Sequence, residues 1–384
     1  MSRKTLSAPP QPSVTTIKVA VIQTAPRAGD PEGNLARVRD LVTLAVEEDR
    51  PDLIVLPERL RGRTDEPGLT ERADGETWSA LREMAQAAGC LVAGGFVAAT
   101  GAGVTARYVI AEPSGATHVH DKDRPDPWEA REVGCGDGDN FALTPHGPTG
   151  IACGGEWART ITARRLRRRV GVVIGGAGLL SSDAHPRSAG RRHAHHAALA
   201  RELAARMAQT TGAPVAIAVQ ADPPGVDRSG RLWRPTLVGR SRIVDRDGRE
   251  LASVAEPGDG YACASVDLRS REDGAVDPIP EGTWLSPIPL STRMAARVVG
   301  ATNGRRYARQ LRRYDLPWQD QAIPPQMPYN PPPAAGGGKP TTNESEPPAV
   351  PAPPRPSGAE PAQRTGRGKR ESPEPSGVGG ATRS

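Results

Sequence analysis

A carboxylate, an ammonium and a thiol each stand where an apolar run of this sequence ends. Glu58 directly follows LIVLP, Lys122 follows the strand-like THVH, and Cys153 closes TGIAC. In open α/β sheets, reactive groups gather just beyond the carboxyl ends of strands, so these three positions are where chemistry would be expected. A thiol can attack an electrophilic carbon, a carboxylate can take and return its proton, and an ammonium can hold the negative charge that develops. Taken singly, each has an ordinary reading. A cysteine after an apolar run packs as a small hydrophobe, and a lone Glu or Lys beyond a strand is solvated.

The elements around them alternate. IKVAVIQ (17–23) reads as a buried strand, and GDPEGN then offers Asp30 as a helix N-cap with Pro31 at the first helical position. Leu35, Val38, Leu41, Val42, Ala45 and Val46 recur at helical spacing before the strand DLIVLP (52–57). A helix near 75–88, strands near 90–98, 105–111 and 115–120, the strand TGIAC (149–153), a helix from about 157 and the strand VGVVIG (170–175) continue the pattern. An Ala-rich helix (about 193–211), the strand PVAIAVQ (214–220), and strand-like segments at 236–245, 249–254 and 261–268 close the body. The alternation predicts an α/β fold, with helices stacked on a mixed or parallel sheet. Residues 1–16 and 319–384 are rich in Pro, Ser and Gly, with almost no large apolar side chain in the tail, so they are expected to be disordered around one domain at 17–318.

Read together, these segments resemble the nitrilase superfamily of carbon-nitrogen hydrolases over about residues 17–268. The opening strand, the Asn34-bearing helix and DLIVLPE are similar to that family's first catalytic block, which makes Glu58 the catalytic glutamate. In HDKDRPDPWE a proline follows Lys122 by three residues and Glu129 follows it by seven, with GCGDGD (134–139) beyond. The resemblance implies a catalytic Lys122 supported by Glu129. TGIACGGEWART resembles the nucleophile block and implies Cys153 as nucleophile, with Gly154, Glu156 and Trp157 lining the oxyanion and substrate side. Gly239 and Ser241 in LVGRSRIVD are similar to the family's Gly-x-Ser segment. Two departures stand out: Gly154–Gly155 replace the usual aromatic after the cysteine, leaving Glu156 third, and Gln220 stands where asparagine is common. The implied fold is a four-layer αββα sandwich that pairs into dimers or larger assemblies. The implied reaction is hydrolysis of a small amide or nitrile through a Cys153 thioester, without cofactor or metal.

Composition narrows the alternatives. Net charge is +6, but the tail from 320 holds seven Lys/Arg against six Asp/Glu, and the excess gathers at Arg159, Arg164, Arg165, Arg167, Arg168 and Arg169. Such a run reads as a solvated helix face, and 13 aromatics in 384 residues leave few base-stacking platforms, so no nucleic-acid partner is expected. The four cysteines form no CxxC pair, and no apolar stretch approaches 18 residues. A cytoplasmic enzyme without a membrane partner is the expectation. Cys90 and Cys263 read as core, and Cys135 as a loop thiol without a role. Two rivals remain: a metal-dependent amidohydrolase using His118, His120, His193, His195 and His196, and a catalytically impaired nitrilase-fold partner subunit.

Overall fold

Along the first strand, Val19 and Val21 face one way and Ala20 and Ile22 the other, as the two-residue period of extended chain requires, and the same alternation organises the whole molecule. The computed structural model describes residues 15–305 except 65, 102, 137–138, 179, 182–188, 224–235, 269–275, 287–297, 299–300 and 303–304. The expectations for residues 1–14 and for the tail at 319–384 lie outside the described residues.

In chain order the elements are β1 (Thr16–Gln23), α1 (Pro31–Asp49), β2 (Leu53–Val55), β3 (Thr70–Arg72), α2 (Glu76–Ala88), β4 (Leu91–Thr100), β5 (Gly103–Ala111), β6 (Thr117–Asp121), β7 (Phe141–Thr144) and β8 (Gly147–Ile151). A 3-10 turn (Gly154–Ala158), α3 (Thr160–Leu166), β9 (Val172–Ala177), β10 (Leu180–Ser181), α4 (Ala189–Thr211), β11 (Val215–Val219), β12 (Thr236–Leu237), β13 (Arg242–Val244), β14 (Glu250–Ser253) and β15 (Gly260–Asp267) follow. One sheet has the order β15-β1-β2-β4-β5-β6, with β3 paired to the far end of β4. The other has the order β14-β13-β11-β9-β8-β7. In each, a parallel centre (β1-β2-β4 and β8-β9-β11) is flanked by antiparallel strands.

The two sheets share an inner core. Val19, Val21, Leu53, Val55, Leu91 and Ala93 of the first meet Ile151, Val172, Ile174, Ala216, Ala218 and Ile243 of the second. The alternate residues of the first sheet, Ala20, Ile22, Ile54 and Val92, face Leu35, Val38, Leu81 and Met84 of α1 and α2. Those of the second, Val173, Val215, Ile217 and Val219, face Ala163, Leu166, Ala204 and Met207 of α3 and α4. The architecture is a four-layer αββα sandwich. With two-sided sheets, the central strands must be apolar at consecutive positions, which is why LIV and VAIAV read as unbroken runs.

The structure adjusts several boundaries. The cap at Asp30 is present, its side chain accepting from Gly33 N. The helix expected from about 157 is instead a 3-10 turn from Gly154 followed by the short α3, and α4 begins at Ala189 rather than 193. The stretch 236–245 is two short strands because Gly239 and Arg240 both adopt positive φ (69° and 72°), which no extended strand can hold. Among the described residues, no helix is long and apolar enough to cross a membrane.

Ile174 lies fully buried between the sheets, whereas Leu143 on β7 is 55% exposed. Ile174→Ala is therefore expected to lower the free energy of unfolding in urea by about 2–5 kcal/mol, and Leu143→Ala to change it by no more than about 0.5 kcal/mol. Equal losses from the two would contradict this layering.

Candidate active site

Glu58 lies three residues past β2, and the chain there is held on both sides. Leu56 N donates to Ala93 O and Gly95 N to Pro57 O, while the Tyr108 hydroxyl donates to Leu56 O at 2.7 Å. A Cβ on Gly176 of β9 would fall 2.2 Å from Glu58 N, so the second sheet can approach Glu58 closely only because that residue is glycine. The carboxylate is aimed by Gly178 N–H (2.7 Å) and the Thr64 hydroxyl (3.2 Å), both on Oε1, which leaves Oε2 for Lys122 Nζ at 3.2 Å.

Lys122 directly follows β6, its N–H donating to Ala106 O, and its side chain is 1% exposed. The loop beyond it makes two helical turns: Asp126 O accepts from Glu129 N and Ala130 N, and Glu129 O accepts from Glu132 N and Val133 N. Those turns bring two further carboxylates onto Nζ, Asp126 Oδ2 and Glu129 Oε2, each at 2.8 Å. Glu129 also faces Arg59 at 4.0 Å. Burial acts first on all four groups. It would discharge Lys122, but Asp126, Glu129 and Glu58 raise its pKa well above the ordinary value. It raises Glu58 to about 7, with Glu129 and Asp126 adding and Lys122 and Gly178 N–H opposing. It likewise raises Asp126, against the pull of Lys122. Only Glu129 ends below its ordinary value, because Lys122 and Arg59 together outweigh burial.

Cys153 follows β8 by two residues, buried at the inner face of the second sheet. Burial pushes its thiol well above the ordinary value, Glu156 and Glu58 add to that, and Lys122 opposes. The resting sulfur is therefore protonated. The next residue marks where the groups converge: a Cβ on Gly154, whose φ is +46°, would stand 2.2 Å from Asp126 Oδ2, 2.4 Å from Lys122 Nζ and 2.9 Å from Glu58 Oε2. One on Gly155 would stand 2.3 Å from Asp126 Oδ1, and Gly155 N–H donates to that carboxylate at 3.0 Å. The Gly154–Gly155 departure thus makes room for Asp126, a residue the sequence reading passed over although it stands four residues from Lys122.

Glu156 lies beside this cluster as a structural anion. Its Oε2 accepts from Cys153 N (2.9 Å), His120 Nε2 (2.8 Å) and Asn140 Nδ2 (3.3 Å), and its Oε1 accepts from Asp123 N (3.0 Å). Burial would raise its pKa, but His120 and the backbone donors hold it near 2. Burial would lower that of His120, but Glu156 raises it. Trp157 packs in the outer core with Met207, its indole N–H on Gly176 O.

Two of the histidines expected of a metal enzyme, His118 and His120, have protein partners. His118 pairs with Glu112, and His120 uses its second nitrogen on Asp139 O. His120, Cys153 and Glu156 do present ligand atoms within 4.8 Å of one another, as do Glu58, Asp126 and Glu129. The side chains of His193, His195 and His196 lie outside the described residues. The arginine run is less solvated than expected: Arg159 and Arg165 both pair with Asp123, and Arg167 donates to Thr210 O and Val276 O. Gln220 stitches down the loop after Glu58, donating to Arg59 O and Gly62 O and accepting from Thr64 N. The Ser241 hydroxyl accepts from Val219 N. All four cysteines are free, Cys90 and Cys153 buried and Cys135 exposed.

Residues 18–274 match the family pattern described as carbon-nitrogen hydrolase. Among solved structures, a carbon-nitrogen hydrolase from Helicobacter pylori superposes with a TM-score of 0.53 at 20% identity, covering 66% of this chain and 89% of that one. Nit3 of Saccharomyces cerevisiae, from branch 10 of the nitrilase superfamily, gives 0.52 at 19%, covering 66% and 90%. A mutant amidase from Nesterenkonia, carrying the acetamide moiety of fluoroacetamide on its active site cysteine, gives 0.50 at 18%, covering 66% and 91%. No curated protein matches this chain in sequence.

The Glu156–His120 pair yields a pH test. Glu156 titrates lower in the folded protein, so its contribution is full above the ordinary 4.5 and is lost as pH falls toward 2. His120 titrates higher, so its contribution is full below the ordinary 6.5 and is lost as pH rises through the folded value. Glu156→Gln strands a buried imidazolium and is expected to cost about 3–5 kcal/mol near pH 5.5, with a smaller cost at pH 9. A cost independent of pH in chemical denaturation would show that the pair is not ionic.

Proposed function

Because this chain belongs to the carbon-nitrogen hydrolase family, we propose that it hydrolyses a small amide or nitrile, with Cys153 as nucleophile, Glu58 as base and Lys122 as the charge that stabilises the intermediate. The observation that carries this reading is the convergence of Glu58 Oε2 and Lys122 Nζ, 3.2 Å apart, beside the residue that follows Cys153.

In this mechanism the thiol stays neutral until substrate arrives, consistent with its raised pKa. Glu58 takes the proton as sulfur bonds to the carbonyl carbon, and negative charge moves to the substrate oxygen, held by Lys122 Nζ and Gly154 N–H. A preorganised donor of this kind is worth about 2.7–4 kcal/mol in the transition state. Glu58 then gives its proton to the departing nitrogen, the carbon-nitrogen bond breaks, and Cys153 is left as a thioester. Water deprotonated by Glu58 attacks that thioester and releases the acid, returning the proton to sulfur. A nitrile would enter through a thioimidate and consume a second water. Glu129 holds Lys122 charged and in place, through the 2.8 Å contact and its own lowered pKa. A pKa near 7 suits Glu58 to accept and return a proton near neutrality. The Nesterenkonia adduct makes short aliphatic amides the first substrates to try.

Ammonia release from a panel of short amides and nitriles tests the reading. Cys153→Ala, folded by circular dichroism, is expected to abolish release. Glu58→Gln is expected to lower kcat by about 10²–10⁴ with the fold retained. Turnover that survives Cys153→Ala would remove the nucleophile, and a panel wholly without turnover in the unsubstituted protein would favour an impaired partner subunit.

A further inference from the structure

An ammonium has three N–H donors, and Lys122 places all three on carboxylates: Glu58 Oε2, Asp126 Oδ2 and Glu129 Oε2. None is left for a substrate oxygen. For Lys122 to give a substrate oxygen a full N–H, one of these contacts has to give way, and the three carboxylates are not equally free to do so. Glu58 is 5% exposed and fixed by Gly178 N–H and Thr64, and Glu129 is 2% exposed and fixed by Asp126 N–H and Lys122, with Arg59 beside it. Asp126 is 23% exposed, and among the described residues its side-chain hydrogen bonds run to Lys122 Nζ and Gly155 N–H, with the Arg159 charge acting on it as well. Its carboxylate also fits space that side chains at 154 and 155 would fill, as the 2.2 and 2.3 Å approaches to the two built Cβ positions show.

We propose that Asp126 is an internal stand-in for the substrate's oxyanion, occupying donors beside Cys153 and leaving Lys122 whenever substrate is held. The proposal rests on the assignment of Cys153 and Lys122 above and adds to it a residue that restrains the reaction. Asp126 Oδ2 accepts from both Lys122 Nζ and Gly155 N–H. It therefore presents to the ammonium what a tetrahedral intermediate held by Lys122 and the adjacent Gly154 N–H would present, one negative oxygen shared by an ammonium and a backbone N–H. Each catalytic cycle then begins by exchanging one anion for another, so substrates whose carbonyl develops charge weakly are disfavoured.

Two reactions of the same sulfur separate this role from a structural one. In acylation by p-nitrophenyl acetate the S–C bond forms, the aryl ester C–O bond breaks, and the thiol proton leaves through Glu58 to the p-nitrophenolate or water. Negative charge develops on the ester's carbonyl oxygen before the aryloxide leaves, so Lys122 is needed. Alkylation by iodoacetamide forms an S–C bond with loss of iodide and creates no oxyanion. In the full-length protein, with Cys153→Ala as blank, Asp126→Ser is expected to raise the acylation rate constant by about 10²- to 10³-fold, the order by which a single donor of this kind changes rate. Asp126→Asn, whose neutral oxygen is more easily displaced than a carboxylate, should show a smaller gain. The alkylation rate constant, which shares Glu58 with acylation but needs no oxyanion, should change by less than about 10-fold, so the ratio of acylation to alkylation rises. Acylation that is unchanged or slower with alkylation unchanged overturns the proposal while leaving the nucleophile intact. A parallel fall in both reactions, in the Ser and the Asn variant alike, overturns it by making Asp126 a support for the loop. Absence of any Cys153-dependent acylation, in every form of the protein, overturns the nucleophile assignment and the proposal together.

Discussion

An ammonium taken out of water loses its proton unless opposite charge meets it, and Lys122 keeps its proton because three carboxylates converge on one nitrogen. Most of what is unusual around the site follows from that constraint. Burial acts to raise the pKa of all three carboxylates, and because three negative charges meet one positive charge the rise survives, reinforced by the other carboxylates, on the two with least compensation, Glu58 and Asp126. Glu129, with Arg59 beside it, keeps none of the rise. The base proposed for the reaction thus owes its pKa near 7 first to burial, and then to the two carboxylates that also keep the cation charged.

The sandwich exists, from the point of view of this cluster, to bring two sheets to one edge. Glu58 and Lys122 come from the first sheet, by way of β2 and β6, and Cys153 from the second, by way of β8. The sheets meet closely because glycine occupies the crossing points, with Gly176 lying against Glu58 N. Glu156 fastens the two together from the other side, accepting from Cys153 N in one sheet and from His120 and Asp123 N in the other. Its low pKa marks it as a fixed anion, and it adds to the burial that raises the Cys153 thiol.

How much of this was legible in the sequence depended on how local the signal was. Strand ends are local: LIVLP, THVH and TGIA located Glu58, Lys122 and Cys153, and the spacing to Glu129 falls within one loop. The layers were legible for a similar reason, since unbroken apolar strands require cover on both faces. Asp126 was not legible, because its approach to Lys122 depends on the helical turns of the loop and on two glycines nearly thirty residues away. Nor was the pairing of His120 with Glu156, which are 36 residues apart on different sheets. Trp157, expected to line the site, lies in the outer core, since the 3-10 turn points it toward α4 rather than along the inner face. The run of arginines is a solvated face only in part: Arg164, Arg168 and Arg169 are exposed, but partners arrive from distant chain for the others, Asp123 for Arg159 and Arg165, and backbone carbonyls for Arg167.

The central claim is that burial, with Glu129 and Asp126 adding to it, sets the proton affinity of Glu58. Infrared difference spectroscopy of the carboxyl stretch across a pH titration, with Glu58→Gln as the reference, reads it directly. The account predicts one carboxyl that titrates near pH 7 and vanishes in the variant. Loss of only a band titrating at or below the ordinary 4.5 would contradict it, leaving Glu58 an exposed-type acid with no reason to exchange protons with a buried thiol.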